Sequence, residues 1–274
     1  MGCWHVTIGI RGRLAAFGSE ETRMDAVRAL VSTVGSEVAL FCVVHDHLHL
    51  VLVAPDRRVV GRRCLALSLA LRGVLMRATG GATVQPAWVR PVEDVGHLRA
   101  LIRYVLNQAE RHGLGVHAAL WSGSILPDLV GARWLPNLAP CLWRLMPTLD
   151  VSELLAAVGL TGRLDPLPLP ELWTVGAAGL VAAAERAAGV SAAGAEARRG
   201  ASRVRARRAA AKLGRLAGIP TCQMAAALGL SEGGTRKAAA REVPTELLAA
   251  TRLRVALDRL ARPASGGVGV ERGI

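Results

Sequence analysis

The sequence predicts an α+β domain, built as an antiparallel sheet with helices packed on it, followed by an all-α domain. Over the first half, β-branched segments and segments with helical apolar spacing succeed one another in the order β-α-β-β-α-β-α. The second and third strands are separated only by His45-Asp46, most simply as a hairpin, which makes an antiparallel pair, or as one bent continuous strand. After Pro147 the strand signals end and Ala, Leu and Arg dominate, which indicates helices alone.

Each predicted element of the first half has a local cause. The first strand alternates apolar and polar residues, and all the strands are rich in apolar residues that suit a buried sheet. The first helix opens with acidic residues, and the three helices end at Gly35, Gly80-Gly81 and Gly113. The predicted ranges are 4–10, 37–44, 47–54 and 86–93 for the strands and 20–35, 61–81 and 95–113 for the helices.

The change in composition after Pro147 also divides the chain. Residues 1–146 are predicted to form the α+β domain and residues 147–262 the helical domain, and the Gly-rich tail at 263–274 is expected to be disordered. The helices of the second domain are predicted at 150–159, 169–188, 202–217, 221–228, 232–240 and 244–261.

The composition indicates a partner with many negative charges. The formal net charge is +13, because 34 Lys and Arg residues outnumber 21 Asp and Glu residues. A GC-rich genome would explain the preference for Arg over Lys, but it does not explain the excess of basic residues. Nucleic acid is the leading candidate partner for a chain of this charge. The hydrophobic fraction of 51% excludes a chain that is disordered throughout.

The five cysteines are scattered, at Cys3, Cys42, Cys64, Cys141 and Cys222. The absence of a CxxC pair argues against a zinc ribbon or a disulfide framework and suits a reducing compartment. The first residues contain no uncharged run of signal-peptide length, and the apolar stretches are too short for a membrane span. We therefore expect a cytoplasmic protein without a membrane partner.

The segment FCVVHDHLHLVLVA, residues 41–54, places His47 and His49 on the same side of a predicted strand. Two imidazoles aimed at one point are suited to bind a divalent cation. The alternative is a pair of hydrogen-bonded core histidines, since an HxH motif by itself occurs often by chance.

The last helix of the first half adds Tyr104, the single tyrosine of the chain, and Gln108. Residues at i and i+4 share a helix face, so a phenol and an amide oxygen are expected side by side. A buried core tyrosine is the ordinary alternative, although this core is otherwise built of Leu, Val and Ala. His97 and His112 fall on roughly the same helical stripe; they could orient the site, but a structural or exposed position is the expectation. His5 is expected near the site.

The motifs WHVT, VVHDHLHLVLV, an Arg-bearing helix, WVRPVED and LIRYVLNQAERHGL follow one another over residues 4–115. In this order the sequence resembles the single-tyrosine HUH transposases, and among them the IS200/IS605-like and REP-associated tyrosine transposases. The resemblance implies a ferredoxin-like nuclease domain, with His47 and His49 as metal ligands, Tyr104 as nucleophile and Gln108 as the third ligand. The family usually has Pro-Asn before the motif. Here His45-Asp46 takes that place and is predicted to surround the ligands.

The resemblance also implies an activity. The protein is expected to be a metal-dependent single-strand DNA endonuclease and strand transferase that uses Mg²⁺ or Mn²⁺ and forms a 5′-phosphotyrosine link on hairpin or palindromic DNA. Two imidazoles and an amide would also accept Co²⁺ or Zn²⁺, so the ligands alone do not select the metal. Two alternatives stay open: a relative that binds hairpin DNA without cutting it, and a helix-turn-helix regulator. Relatives occur as monomers and as homodimers, and both states stay open here.

Two groups of residues are predicted to contact DNA. In the first domain they are arginines in loops or at helix starts, namely Arg11, Arg13, Arg57, Arg58, Arg62 and Arg63. In the second domain, residues 202–241 resemble a helix-turn-helix, with Thr221 as a helix cap and the turn at 229–231. There Ser231, Thr235, Arg236 and Lys237 are expected to touch duplex DNA, and Arg203, Arg205, Arg207 and Arg208 its backbone. The alternative is a basic helical bundle that packs on the nuclease domain.

Overall fold

The fold is that of a computed structural model, which describes residues 2–191 and 200–262. Its centre is a four-stranded sheet in the order β2-β3-β1-β4, in which every neighbouring pair is antiparallel. The strands are β1 (Gly2–Gly9), β2 (Val38–Val43), β3 (His47–Ala54) and β4 (Trp88–Pro91). The predicted α+β class with an antiparallel sheet is confirmed. The tail at 263–274, which was predicted to be disordered, lies outside the described residues.

Four helices accompany the sheet: α1 (Glu20–Val34), α2 (Arg57–Thr79), α3 (Val95–Leu106) and α4 (Gln108–Arg111). Helix α2 begins earlier than predicted because the Asp56 side chain accepts a hydrogen bond from the Val59 amide and caps it. The helix predicted over 95–113 is wrong as a single element. It breaks at Asn107, whose side chain donates to the carbonyl oxygens of Arg103 and Ala157.

The two faces of the sheet are used differently. One face carries Val6, Ile8, Leu48 and Leu50, all fully buried. Helices α1 and α2 pack on each other and on strands β2 and β3, and they supply the apolar layer. Because side chains alternate along a strand, the other face carries the histidines of β1 and β3, and helix α3 lies over it. His47 and His49 thereby lie on the face that α3 covers.

The chain after the sheet closes the edge of β2. It contains a 3-10 helix at Ala118–Leu120 and the short helices α5 (Leu126–Leu129) and α6 (Leu142–Leu145). The indole nitrogen of Trp121 donates to the Val43 carbonyl oxygen at 2.8 Å, and Cys42 forms an isolated antiparallel bridge with Ser124. Segment 121–124 therefore satisfies backbone groups that the edge strand would otherwise expose.

The second half contains only helices in its described part, residues 150–191 and 200–262. They are α7 (Val151–Ala157), a 3-10 helix (Leu169–Val175), α8 (Gly176–Ala187), α9 (Ala201–Leu216), α10 (Thr221–Leu228), α11 (Glu232–Ala240) and α12 (Thr245–Ala261). Their apolar residues form a second core cluster from Leu167 to Val255. The cluster around the sheet continues past residue 146 into α7 and includes Leu257 and Ala261 of α12, so the two halves share α12. None of the helices in the described part is long and apolar enough to span a bilayer.

We predict that Gly123→Ala destabilises the fold by roughly 2 kcal/mol or more. A Cβ at this position would overlap the Val43 carbonyl oxygen and would lie 2.8 Å from the Trp121 indole nitrogen. Both atoms belong to the contact that closes the β2 edge, and a backbone carbonyl cannot move aside cheaply.

Gly61→Ala is the matched control, because Gly61 lies in α2 with no atom within 4 Å of the added Cβ. There alanine should be neutral or stabilising by up to about 1 kcal/mol, since it favours helix more than glycine does. Urea unfolding followed by circular dichroism compares the two variants. Equal stabilities for the Gly123 and Gly61 variants would contradict the packing described at the β2 edge.

Candidate active site

Two imidazoles meet on the sheet face below α3. In the pairing of β1 with β3, His47 lies opposite Gly9 and His49 lies opposite Thr7, so both histidines point to the same face. Their Nε2 atoms are 3.1 Å apart. His49 is only 5% exposed, whereas His47 is half-buried at the start of β3. The HxH motif thus brings two ring nitrogens to one point at the edge of the core.

The other ring nitrogens have partners that orient the two rings. Nδ1 of His47 donates to the Asp46 carboxylate at 2.7 Å, which leaves the Nε2 of a neutral His47 ring as an acceptor. Nδ1 of His49 lies 3.1 Å from the Thr7 hydroxyl and 3.3 Å from Nε2 of His5. If Nδ1 of His49 also carries its proton, two lone pairs face each other, and a cation between them would relieve the repulsion.

The separation of the two Nε2 atoms fits a metal site. Ligand nitrogens about 2.1 Å from one ion are about 3.0–3.4 Å apart for bond angles between octahedral and tetrahedral. A ring nitrogen hydrogen-bonded to a carboxylate, as in His47, is the usual environment of a metal-binding histidine. The same separation also suits an N–H···N hydrogen bond between core histidines. The contact of His47 with the Asp46 carboxylate favours the metal site.

Tyr104 lies over this pair. It projects from α3, and its ring centroid is 5.1 Å from that of His49 and 6.0 Å from that of His5. The ring is half-buried, and the guanidinium carbon of Arg111 lies 4.9 Å from its centroid. The structure therefore places the phenol, the two histidines and a cationic side chain in one group.

The Gln108 side chain is hydrogen-bonded to the backbone and not to the two imidazoles. The break at Asn107 puts it in α4, where it is 1% exposed and its side-chain amide donates to the Tyr104 carbonyl oxygen at 2.9 Å. Among the described residues, no hydrogen bond joins Gln108 to either imidazole, and no three His, Cys, Asp or Glu side chains form a metal-binding group. Its place as a third ligand remains a prediction.

Several residues of the site carried little or no signal in the sequence. His112 follows α4, and although it is exposed its ring lies 5.0 Å from that of His47. His5 lies beside His49, as expected, with a ring distance of 5.5 Å. Thr7 and Arg111 were not anticipated, because the first depends on the register of β1 and the second on the turn after α4. The His45 ring lies 5.8 Å from that of Trp121, and its place around the ligands remains a prediction.

Burial keeps the central histidine neutral. It lowers the pKa of His49 to about 3, and the nearby rings of His47, His5 and His112 and the Arg111 guanidinium act in the same direction. Burial also lowers the pKa of His5 and of His112 from the ordinary value. A neutral imidazole offers a lone pair to a metal ion, and with so low a pKa His49 does not take up a proton at neutral pH.

The arginines predicted to meet DNA lie at two ends of the sheet. Arg11 and Arg13 are exposed in a 3-10 turn (Arg11–Arg13) after β1, where the Ile10 amide donates to the Asp46 carbonyl oxygen. The arginines of α2 follow the far end of β3, about 23 Å along the strand from His47. They are Arg57, Arg58, Arg62 and Arg63, all exposed, with Arg63 paired to Glu37. Only the first pair adjoins the histidines.

The segment predicted to form a helix-turn-helix contains α10 and α11, joined by a turn at 229–231 in which Gly229 adopts φ +61. Ser231 caps α11 by accepting from the Gly234 amide, and Arg236 and Lys237 are exposed. Arg205, Arg207 and Arg208 are half-buried on α9.

Two predicted contacts are corrected. Thr235 is 3% exposed because it packs against the bundle, and Arg203 is 8% exposed and paired with Glu185. Neither presents its side chain to DNA.

Comparison with known proteins adds one structural likeness. No protein-family model and no curated protein matches the sequence. Among solved structures, a REP-associated tyrosine transposase bound to a REP hairpin aligns with a TM-score of 0.39 and 18% sequence identity. The alignment covers 55% of this chain and 87% of that chain.

We predict that the free energy of unfolding falls as the pH is lowered below about 6.5. His49 has a pKa of about 3 in the folded protein and about 6.5 in an unfolded chain, so the unfolded state binds more protons between these values. From pH 7.5 to 5.0 this one histidine should account for a loss of up to about 2 kcal/mol.

Urea unfolding in a chelating buffer at the two pH values measures the effect. His49→Gln should reduce the difference between them, whereas the control His117→Gln should not. The same pH dependence in wild type and His49→Gln would show that His49 is not the buried neutral group described here.

Proposed function

We propose that the protein is a metal-dependent single-strand DNA endonuclease and strand transferase, with Tyr104 as its nucleophile. The observation that carries the proposal is the position of Tyr104, whose ring lies 5.1 Å from that of His49 above a pair of Nε2 atoms 3.1 Å apart. A phenol, two convergent imidazoles and flanking arginines are the groups that phosphodiester transfer to tyrosine needs. The motif order along residues 4–115 supports the same activity.

The metal would be held by His47 and His49, with Gln108 as the third ligand that the sequence resemblance implies. Bound there, Mg²⁺ or Mn²⁺ would neutralise and orient the scissile phosphate. Asp46 fixes the ring orientation of His47, while Thr7 and His5 do the same for His49. The low pKa of His49 keeps its ring unprotonated at neutral pH, as a ligand must be.

The chain's own groups account for binding and for the transfer step. Arg111, beside the Tyr104 ring, and Arg11 and Arg13, beyond the Asp46 turn, offer positive charge to a DNA backbone. The Tyr104 oxygen attacks phosphorus as the bond to the 3′ oxygen breaks, which leaves a 5′-phosphotyrosine and a 3′-hydroxyl. The phenolic proton departs to water, and the 3′ oxygen is protonated by water.

The covalent intermediate permits strand transfer. A phosphotyrosine retains the phosphodiester bond energy, so a 3′-hydroxyl from another strand can reverse the step and join to the 5′ end without ATP. The half-buried position of Tyr104 suits an unpaired or splayed strand better than a stacked duplex. Hairpin or palindromic DNA, in which paired and unpaired segments adjoin, is therefore the proposed substrate.

A second candidate function is DNA binding without cleavage. It is favoured by Gln108, which forms no hydrogen bond with either imidazole among the described residues, and by α11, whose Arg236 and Lys237 are exposed for duplex contact. In this reading the protein is a hairpin-binding relative or a helix-turn-helix regulator. Covalent capture of DNA separates it from the first proposal.

We predict that wild-type protein and Mn²⁺ convert a labelled hairpin with unpaired flanks into a covalent adduct that survives a denaturing gel. Tyr104→Phe should reduce adduct formation by roughly a thousandfold or more, because the nucleophilic oxygen is absent, while hairpin binding is retained. Tyr104 is the single tyrosine, so a phosphotyrosine found by mass spectrometry reports this residue alone. Cleavage that persists in Tyr104→Phe would contradict the mechanism, and binding without any wild-type adduct would favour the second candidate.

We predict that His47→Ala and His49→Ala abolish Mn²⁺ binding, measured as free Mn²⁺ by electron paramagnetic resonance without DNA. Asp46→Asn should weaken the Mn²⁺ affinity by about 10- to 100-fold, because His47 loses its charged partner. His117→Ala, outside the pair, is the control. Unchanged Mn²⁺ affinity in both histidine variants would assign the two rings to a hydrogen-bonded core pair.

A further inference from the structure

An exposed tryptophan stands in the same row of the sheet as the candidate site. Thr7 of β1 lies opposite His49 of β3 on one side and opposite Trp88 of β4 on the other. The three side chains therefore point to one face, and Trp88 lies two strand spacings, about 10 Å, from His49. Although β4 is the edge strand, this tryptophan belongs to the surface that includes the histidines.

The Trp88 indole contacts neighbouring side chains but remains exposed to solvent. Its ring centroid is 5.8 Å from that of His5 with the rings perpendicular, and the Arg90 guanidinium carbon lies 5.0 Å from its centroid. Even so, Trp88 is 48% exposed. An exposed indole beside a cationic side chain and the candidate site offers a ligand an apolar face to stack on.

We propose that Trp88 and Arg90 form a subsite for one unpaired nucleobase of the DNA strand, next to the phosphate at Tyr104. The inference rests on the proposed function and specifies how that site holds its substrate. An indole stacks on any base, because every base has a π-face, and an adjacent arginine can accompany the base by stacking or by binding its phosphate. Unpaired DNA bound along the row from Trp88 to His49 would cross β4 and β1 and would reach the histidines.

The charge of this surface favours DNA over a second copy of the chain. Arg90 and Arg111 both lie on it, and the whole chain carries +13, so two copies would repel each other there while a polyanion is attracted. Strand β4 is also a poor partner for strand pairing between copies, since it has four residues and ends at Pro91, which has no amide hydrogen. An unpaired nucleotide would cover the exposed indole with its base and would bring its phosphate close to the positive charge.

Fluorescence anisotropy with labelled dT12, in a chelating buffer that prevents cleavage, tests the subsite. Trp88→Ala should weaken binding by roughly tenfold or more, and Trp88→Phe should weaken it much less, because a phenyl ring still stacks. Trp173→Ala is the matched control, since Trp173 is 50% exposed in the 3-10 helix at Leu169–Val175, among the helices of the second half. It should leave the affinity for dT12 unchanged.

A second measurement begins with wild-type protein, so its first result does not depend on a variant folding. A hairpin with an unpaired oligo-dT flank fixes the register of the bound strand. Replacing the bases of this flank one at a time with abasic residues should weaken wild-type binding at one position, near the cleaved bond. The same abasic residue should not weaken DNA binding by Trp88→Ala any further, because the indole that stacks on the base is already absent.

Each outcome bears on one proposal at a time. Unchanged dT12 affinity in Trp88→Ala, or equal losses with normal and abasic strands, would overturn the subsite even if the Tyr104 adduct forms. A Trp88-dependent loss of affinity without any adduct would retain the subsite and overturn strand transfer. A change of oligomeric state in Trp88→Ala, seen by light scattering, would assign the indole to a contact between copies and overturn the subsite.

Discussion

The antiparallel pairing of β1 with β3 is the constraint on which the site depends. Its register sets Gly9 opposite His47 and Thr7 opposite His49, and it sends all four residues to the face below α3. A shift of one residue in β1 would turn His5 and Thr7 into the apolar layer and leave Nδ1 of His49 without these partners. The register is held from the other face, where Val6, Ile8, Leu48 and Leu50 are fully buried. Apolar packing on one side of the sheet thus determines the polar geometry on the other.

The polar face is built around the neutral imidazole of His49. Burial opposes protonation of His49, and the positive charge of Arg111 opposes it further. Asp46 is the carboxylate that contacts the pair, and it touches His47, the more exposed of the two rings. The nitrogen lone pairs of His47 and His49 are thus available to a cation. The Asp46 carboxylate orients the His47 ring from its Nδ1 side and does not occupy the space between the two Nε2 atoms.

Charged groups are buried in pairs in both halves of the chain. Asp258 of α12 contacts both Arg186 of α8 and Arg254 of its own helix, and burial lowers the pKa of Arg254 to about 10. Asp128 and Arg133 form another buried pair, in which Arg133 also donates to the carbonyl oxygens of Ser122 and Ser124. Removing one partner of such a pair leaves an uncompensated charge, so the first pair of contacts holds α8 to α12 and the second holds Arg133 to the segment that closes β2.

The sequence by itself determined the order of strands and helices, the face shared by His47 and His49, and the helix that bears Tyr104. These are consequences of local periodicity, which repeats every two residues in a strand and every 3.6 in a helix. It did not determine the break at Asn107, because that depends on a hydrogen bond to Ala157, fifty residues along the chain. It also could not show that Trp88, Thr7 and His49 form one row, that His45 turns to Trp121, or that Thr235 is buried. Those positions follow from strand register and helix packing. Both depend on contacts between residues far apart in the sequence, so a local pattern does not predict them.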